Sequence, residues 1–208
     1  MEKKGVFLVF EGIDGSGKST QLRRTKEYLE AQGLDVVATR EPGGTMISEK
    51  IRCLLLDPEN SGMDDRCELL LYGAARAQHL SEVILPALRA GKAVLCDRFA
   101  LSTLAYQGYG RGLDRDALAA IHSVAAGGAK PDLTLVIDIS PEVAAARVAE
   151  SRGEPKDRLE LEKDAFFRAV RRGFLAEAEK EDTIVVIDGE QDEDAVFGAV
   201  LGALEKIK

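Results

Sequence analysis

The stretch VFLVFEGIDGSGKST, residues 6–20, decides the fold of this chain. Its apolar beginning, residues 6–10, predicts a buried strand. Residues 12–19 then match the pattern G-x-x-x-x-G-K-[ST] in full, directly before a helical pattern. Glycines allow backbone conformations with positive φ, so several N–H groups can point at one anion beside the N-terminus of the following helix. The order strand, loop and helix favours a phosphate-binding loop, or P-loop, over a chance glycine-rich turn.

Two side chains of the P-loop have predicted roles towards a bound nucleotide. Lys18 is expected to reach the β- and γ-phosphates, and the hydroxyl of Ser19 is expected to ligate Mg²⁺. The motif indicates only that a nucleotide binds, so the reaction has to be inferred from other parts of the chain.

The composition limits the classes of protein to which the chain can belong. Its 208 residues suit one domain with at most a small mobile insertion, and 45% of them are hydrophobic, which is enough for a sizeable core. The net charge of −8 argues against a general nucleic-acid binder, because such domains are usually basic. No apolar stretch approaches the length of a membrane span, and the N-terminus is unlike a signal peptide. We therefore expect a cytoplasmic protein that binds neither nucleic acid nor membranes.

Cysteine and histidine are not expected to carry the chemistry. Cys53, Cys67 and Cys96 are odd in number and lack C-x-x-C spacing. This pattern favours reduced, mostly buried thiols over a disulfide framework or a metal site. His79 and His122 are too few for a histidine-based metal centre, and we expect them to have structural partners.

Strands and helices are predicted to alternate along the chain. Short apolar runs predict strands at residues 6–10, 35–39, 93–97, 133–139 and 183–187. Helices are predicted at residues 19–32, 47–55, 66–90 and 114–126, from residue 140, at 166–175 and from residue 192, while the polar segment 102–112 is left unassigned. The alternation predicts an α/β fold of three layers, with helices on both faces of a parallel sheet. Ligands are then expected at the carboxyl ends of the strands.

Motifs beyond the P-loop together resemble the thymidylate kinase (dTMP kinase) family. They are TREPGGT (39–45), AARAQ (74–78), DR (97–98), STLAYQG (102–108) and DRLE (157–160). They follow the family's order and cover nearly the whole chain. The resemblance implies phosphorylation of dTMP to dTDP by MgATP in dTTP synthesis. It also implies a P-loop NTPase-type αβα fold with a five-stranded parallel sheet of order 2-3-1-4-5, and a homodimer.

The resemblance assigns the phosphoryl donor, ATP, to the P-loop and to a short lid at about residues 147–160 of a single kinase domain, residues 1–208. The predicted ATP-binding residues are Gly12, Ile13, Asp14, Gly15, Ser16, Gly17, Lys18, Ser19, Thr20, Arg147 and Arg152. Arg158 is a further candidate for contact with phosphate or adenine. Ser19 and Asp97 are expected to hold Mg²⁺, directly or through water.

The resemblance places dTMP beside the P-loop. Arg98 is expected to hold its phosphate, assisted by Arg40 and Arg52, because a guanidinium fork suits phosphate. Tyr72 and Arg76 share a helix face, and they are expected to stack on thymine and to donate to a base carbonyl. The predicted acceptor-binding residues are Asp14, Arg40, Pro42, Arg52, Tyr72, Arg76, Arg98, Ser102, Thr103, Tyr106, Gln107 and Arg158.

The resemblance also implies which side chains act in catalysis and in sugar selection. Asp14 is expected to face away from the donor phosphates and to bind the 3′-hydroxyl of dTMP, while Tyr106 favours a deoxyribose. Some relatives carry an arginine where this chain has Gly15, so the missing positive charge is expected from Arg152. The predicted catalytic set is Lys18, Arg98, Arg152 and Asp14.

Three alternative functions remain open at this stage. A kinase for another nucleoside monophosphate would share the P-loop, and Tyr72, Arg76 and Tyr106 argue against it. A guanine-nucleotide switch needs an N-K-x-D motif, which is absent because the single asparagine, Asn60, lies in ENSG. An inactive relative retained for binding alone is disfavoured by the intact candidate residues, and only a measurement of activity excludes it.

Overall fold

A five-stranded sheet runs through the structure, a computed structural model that describes residues 5–151 and 157–206. The strands are β1 (Val6–Glu11), β2 (Val36–Arg40), β3 (Ala93–Asp97), β4 (Leu133–Asp138) and β5 (Ile184–Asp188). All neighbouring strands are parallel, in the order β2-β3-β1-β4-β5. The α/β fold and the sheet order expected from the sequence are therefore confirmed.

Helices connect the strands as the parallel topology requires. They are α1 (Lys18–Ala31), α2 (Met46–Leu56), α3 (Asp65–His79), α4 (Leu85–Arg89), α5 (Ala100–Thr103), α6 (Arg115–Ala126), α7 (Pro141–Ser151), α8 (Asp164–Ala178) and α9 (Glu193–Leu204). A 3₁₀ turn covers Pro58–Asn60, and π-helical segments cover Leu80–Ile84 and Leu104–Gly110. Among residues 5–151 and 157–206, no helix is long and apolar enough to cross a membrane.

The central strand β1 is buried on both of its faces. Leu8 and Phe10 pack with side chains of α1 and α9, whereas Phe7 and Val9 pack with Ile84 and the helices on the opposite face. Successive side chains of a strand point to opposite faces, so this alternation makes β1 the centre of two apolar layers. Burying such a side chain contributes roughly 1.5–3 kcal/mol, and the P-loop therefore starts from a rigid support.

The register of the sheet brings functional side chains to one edge. Phe10 and Arg40 each lie opposite Asp97, on either side of β3, and Asp138 lies opposite Asp188. The carboxyl ends of the strands consequently meet beside the P-loop that follows β1, which is the edge where parallel sheets bind ligands.

Two helical regions differ from the sequence-based expectation. The helix predicted at 66–90 is formed by α3, a π-helical segment and α4, and the wide π turn directly precedes Leu85 and Pro86. A proline has no N–H and its ring clashes with the carbonyl four residues earlier, which a local change of helix type relieves.

The second difference is the polar segment 102–112, to which the sequence assigned no structure. Most of it is helical, as the end of α5 and the π-helical segment Leu104–Gly110. The reason is tertiary, because α8 packs closely against it: a Cβ at Gly110 would lie 2.6 Å from Cε2 of Phe166. The amino-acid composition of residues 102–112 gives no indication that α8 packs against them.

The prediction of mostly buried cysteines was wrong for two of the three thiols. Cys96 is buried in β3, but Cys53 and Cys67 are exposed. Cys53 lies in α2 and Cys67 in the first turn of α3, on helix faces turned away from the core.

Candidate active site

The P-loop has the backbone geometry that its glycines permit. Gly12, Gly15 and Gly17 have φ angles of 135°, 81° and 94°, in the region that favours glycine. Gly17 also forms the left-handed N-cap of α1, so the first N–H groups of that helix have no side-chain acceptor. They are free to bind a phosphate at the helix N-terminus.

Lys18 lies folded under the P-loop. Its Nζ donates to the carbonyl oxygen of Ile13 at 3.0 Å and lies 3.7 Å from Asp14 Oδ1. The residue is only 5% exposed, and burial, together with the nearby charge of Arg98, lowers the pKa of its ammonium group. A buried ammonium beside the anion-binding backbone gains most when phosphate arrives, because phosphate supplies the opposite charge.

Ser19 and Asp97 form the candidate Mg²⁺ pair. The Ser19 hydroxyl donates to Asp97 Oδ2 at 2.8 Å, next to the open carboxyl edge of the sheet. Mg²⁺ prefers oxygen ligands and is usually held by one or two protein oxygens together with phosphates and water. Within the described ranges no group of three or more His, Cys, Asp and Glu residues could hold a metal. The two oxygens of Ser19 and Asp97 suit a Mg²⁺ ion that takes its other ligands from phosphate and water.

A cavity of about 270 Å³ opens beside the P-loop. It contains ten of the twelve side chains predicted to bind the acceptor: Asp14, Pro42, Arg52, Tyr72, Arg76, Arg98, Ser102, Thr103, Tyr106 and Gln107. These residues come from the P-loop, from α2 and α3, from the β2–α2 and β3–α5 connections and from the helical segment after β3. The fold therefore gathers into one cavity residues that are distant in the sequence.

Arg98 connects this cavity to the P-loop. Its Nη1 donates to the Gly12 carbonyl at 2.9 Å and its Nη2 donates to Asp14 Oδ1 at 2.7 Å. Nη1 also lies 3.3 Å from the Ser102 hydroxyl. Asp14 is half exposed, so an anion entering the cavity can exchange for its carboxylate on the guanidinium.

Arg76 is held at the inner wall of the cavity by a buried network. Its Nε donates to Glu41 Oε2 at 2.7 Å, Nη1 to the Thr103 hydroxyl at 3.0 Å and Nη2 to the Phe99 carbonyl at 3.0 Å. His79 Nδ1 lies 3.2 Å from the other oxygen of Glu41. A guanidinium has five N–H donors, so two remain for a ligand after these three bonds. Glu41 lies in the TREPGGT motif, whose pattern gives no indication of this pairing.

Tyr106 lines the cavity, and its hydroxyl oxygen is buried. The residue is 5% exposed and packs edge-on against Phe166 and Phe174, and its hydroxyl has no hydrogen-bond partner of normal geometry among the described residues. Burial raises the pKa of this phenol and also that of Tyr72, so both stay protonated at neutral pH. The guanidinium of Arg98 lies over the Tyr106 ring, 5.2 Å from its centroid, so the two side chains form one wall of the cavity.

Glu11 is a buried site residue that sequence analysis did not identify. It is 0% exposed, and its Oε1 accepts the backbone N–H groups of Phe99 at 2.9 Å and Ser102 at 3.1 Å. Its Oε2 accepts the Ser102 hydroxyl at 2.5 Å. Burial raises the pKa of this carboxyl group to about 7, although Ser102 and Arg98 act in the opposite direction. A charged residue that ends an apolar strand directly before a P-loop is the one signal that could have drawn attention to it.

Two arginines predicted to bind the acceptor do not line the cavity. Arg40 makes a two-pronged pair with Glu49, with distances of 2.9 and 3.1 Å, at a neighbouring open groove. Arg158 is 6% exposed and donates to the Leu55 carbonyl at 2.7 Å and to Glu68 at 2.5 Å. Arg158 is therefore directed into the protein, away from the space where a nucleotide would bind.

The remaining predicted arginines lie on the other sides of the site. Arg52 lines the cavity and donates to the Pro42 carbonyl at 3.1 Å. Arg147 in α7 lies beside the P-loop, with Nη1 3.0 Å from the Gly189 carbonyl and 3.5 Å from that of Gly15. Arg152, the predicted catalytic arginine of the lid, lies outside the described residues.

Comparison with known proteins gives concordant matches over almost the whole chain. The family model described as thymidylate kinase matches residues 10–200. A thymidylate kinase of Pelotomaculum thermopropionicum is 51% identical over 205 residues, which cover 98% of this chain and 94% of that protein. A thymidylate kinase of a Geobacillus species (strain WCH70) is 46% identical over 202 residues, with 97% and 96% coverage. The crystal structure of a thymidylate kinase from Ehrlichia chaffeensis is similar with a TM-score of 0.79 and 35% identity, covering 97% of this chain and 99% of the other.

Proposed function

This chain belongs to the thymidylate kinase family, and we propose that it transfers the γ-phosphoryl group of ATP to dTMP, which gives dTDP and ADP. The observation that carries the proposal is Arg98. One guanidinium bonds the P-loop backbone at Gly12 and also lines the adjoining cavity. A donor nucleotide in the P-loop and an acceptor in the cavity would therefore meet at this side chain.

Phosphoryl transfer needs positioning and cations more than covalent help from the protein. In our proposal Arg98 holds the phosphate of dTMP, and Arg52 adds positive charge at the cavity wall. Asp14, displaced from Arg98 by that phosphate, accepts the 3′-hydroxyl of the sugar. After the exchange Arg98 still faces an anion, and the carboxylate of Asp14 still accepts a hydrogen bond.

On the donor side, Lys18 binds the β- and γ-phosphates and Arg147 lies against the nucleotide. Mg²⁺ held through Ser19 and Asp97 would neutralise negative charge on the ATP phosphates when it is bound. The residues of the chain orient the nucleotide: the N–H groups at the start of α1 bind the phosphates, and the buried Lys18 supplies a fixed positive charge.

The cavity favours a pyrimidine deoxynucleotide. Tyr72 would stack on thymine, and the two free N–H groups of Arg76 would donate to a base carbonyl. Tyr106, at the sugar side, would favour deoxyribose by occupying the space that a 2′-hydroxyl needs. Ser102, Thr103 and Gln107 complete the lining.

We further propose that residues 1–208 act as one kinase domain with a lid at about 147–160, and that Arg152 brings a catalytic positive charge when the lid closes over ATP. A homodimer in the cytoplasm is the proposed working form. The large exposed apolar residues Leu70 on α3 and Val124 on α6 support a subunit interface, and the exposed thiols of Cys53 and Cys67 suit a reducing compartment.

The experiment is a measurement of ADP formation from MgATP by the purified chain with dTMP, dUMP, dCMP, UMP, GMP and AMP. We expect selective turnover of dTMP, and a Lys18→Met variant is expected to lose the activity while it keeps its fold. Preference for another monophosphate would overturn the assignment of the acceptor. Absence of turnover with every acceptor, in a protein that binds ATP, would overturn the kinase assignment itself.

A further inference from the structure

Helix α5, which follows Arg98, begins without a local cap. Its N-cap residue is Phe99, whose φ and ψ angles are −157° and −141°, and no side chain next to it in sequence accepts the free N–H groups. An unpaired buried N–H costs about 1–3 kcal/mol, so the helix start needs an acceptor from elsewhere. Glu11 supplies it from β1 through the N–H groups of Phe99 and Ser102. The position of α5 therefore depends on β1, the strand that carries the P-loop.

Arg98 itself is held in an unfavourable backbone conformation. With a φ of 72° it is the only non-glycine residue with positive φ in the described part of the chain. This conformation costs about 1–2 kcal/mol and persists only where the surroundings impose it. The N–H of Arg98 donates to the Phe10 carbonyl at 2.8 Å, and the next N–H, that of Phe99, donates to Glu11. Two consecutive residues of β1 thus fix two consecutive residues of the turn.

The same carboxylate also orients a side chain of the site. Glu11 accepts the hydroxyl of Ser102, and the oxygen of that hydroxyl lies 3.3 Å from Nη1 of Arg98. With its proton directed to Glu11, the Ser102 oxygen presents its lone pairs to the guanidinium. Glu11 therefore acts on Arg98 in two ways, through the backbone of the turn and through Ser102.

We propose that Glu11 is a positioning residue that holds Arg98 and Ser102 in register with the P-loop, so that the acceptor phosphate lies in line with the γ-phosphate of ATP. This inference rests on the proposed function, because it takes Arg98 as the ligand of the acceptor phosphate. Glu11 directly precedes Gly12, so donor and acceptor ligands share one rigid anchor.

Three substitutions at Glu11 test the proposal. Glu11→Ala removes the acceptor for both N–H groups, and Glu11→Asp withdraws it by about 1.5 Å while it retains the carboxyl group. A misplacement of this size costs roughly 100-fold in rate. Both variants are therefore expected to have a lower kcat and a higher KM for dTMP, so that kcat/KM for dTMP falls roughly 100-fold. Glu11→Gln keeps an oxygen for the two N–H groups and can donate to Ser102, so its kcat/KM for dTMP is expected to stay within about five-fold of wild type.

The readout that separates positioning from a merely structural role is the affinity for the donor. The dissociation constant of a fluorescent ATP analogue with Mg²⁺ is expected to be unchanged in all three variants, because the P-loop backbone is retained. Equal weakening of ATP-analogue and dTMP binding would overturn the proposal, and so would a Glu11→Asp variant with wild-type kcat and KM. Glu11→Asp and Glu11→Gln keep the test decisive if Glu11→Ala does not fold.

A matched control lies at the opposite end of the same strand. Asp132 Oδ2 accepts the N–H of Phe7 at 2.8 Å, which is also a carboxylate bond to backbone but lies far from Arg98 in the sheet. Asp132→Asn is expected to leave the KM for dTMP unchanged.

The wild-type acceptor panel separates this proposal from the proposed function. If another monophosphate proves to be the acceptor, the proposed function fails, and the same comparison of variants is made with that acceptor. If no acceptor is turned over, calorimetric binding of dTMP and of MgATP to the wild type and to Glu11→Asp decides the proposal. Selective loss of dTMP binding supports it, and an equal affinity for dTMP overturns it.

Discussion

Glu11 is expected to make the folded protein less stable as the pH rises from about 5 to about 8. Burial raises the pKa of its carboxyl group from 4.5 to about 7, so in this interval the folded state retains a proton that the unfolded state has released. The stability is fully present below the unfolded pKa and decreases as the pH passes through the folded pKa. The difference between the two pKa values corresponds to roughly 3 kcal/mol.

Glu11→Gln isolates this effect, because its amide resembles the protonated carboxyl group and does not titrate. The free energy of unfolding of both proteins is measured by denaturant titration at several pH values between 5 and 8. The wild type is expected to lose stability relative to the variant as the pH rises, and other titrating groups cancel in the comparison. A difference that is independent of pH would contradict the prediction.

The residues of the site differ in how far sequence could predict them. Arg98 and Arg40 both follow or end a strand at the same sheet edge, yet Arg98 lines the cavity and Arg40 pairs with Glu49. The partner of a guanidinium depends on which groups the folded chain brings close to it, and a sequence motif does not contain those distances. Glu11 was missed for the same reason, since its burial becomes visible only when the turn after β3 is placed against it.

At the scale of elements, Glu68 joins three segments through buried charges. From α3 it accepts bonds from Gln107 at 2.9 Å, from Arg111 at 3.1 and 3.3 Å, and from Arg158 at 2.5 Å. Burial alone would raise the pKa of Glu68, but these donors keep it below its usual value. Removal of Arg158 would leave Glu68 with Arg111 and Gln107 and would take a charged donor from both Glu68 and the Leu55 carbonyl.

Arg158→Ala is therefore expected to lower the free energy of unfolding by roughly 2 kcal/mol, the contribution of a buried charge-assisted hydrogen bond, with little change in affinity for an ATP analogue. Arg66→Ala, which removes an exposed pair with Asp64, is the control and is expected to leave the free energy of unfolding nearly unchanged. Denaturant unfolding and nucleotide titration measure both quantities. Wild-type stability with a large loss of ATP affinity would instead support the phosphate or adenine contact that the sequence suggested.

The elements themselves were predictable where a local signal exists. β1, β3 and β4 are continuous apolar runs because both of their faces are buried, and their bounds agree with the prediction to within a residue. The helical segment Leu104–Gly110 carries no such signal. In place of an apolar stripe it has polar residues that face the cavity and two glycines, Gly108 and Gly110, that pack closely against α6 and α8. The apolar stripe from which a helix is predicted is therefore missing here, because these positions line the cavity or pack closely against neighbouring helices.

At the scale of the whole molecule, the family resemblance predicts the order of the strands, and the alternation of strands and helices predicts the three layers. Neither of them predicts which surface forms the subunit interface. For that interface the structure offers helices α3 and α6, which carry large exposed apolar side chains. The structure packs them against each other, because Gly73 leaves room for Ile121, and it leaves Leu70 and Val124 exposed on them by 55% and 83%. Adjacent helices with exposed apolar side chains suit one shared face.

The double substitution Leu70→Arg and Val124→Arg is therefore expected to convert the proposed homodimer into monomers. Two charged side chains opposite their symmetry copies add repulsion to the lost apolar contact, so the dissociation constant should rise by at least about 100-fold. Sedimentation equilibrium of the wild type and the variant measures it. Val186→Lys, which places a charge on edge strand β5 at a residue 42% exposed, is the control and should leave the dimer intact. A wild type that sediments as a monomer would remove the dimer, and a variant that stays dimeric would move the interface to another face.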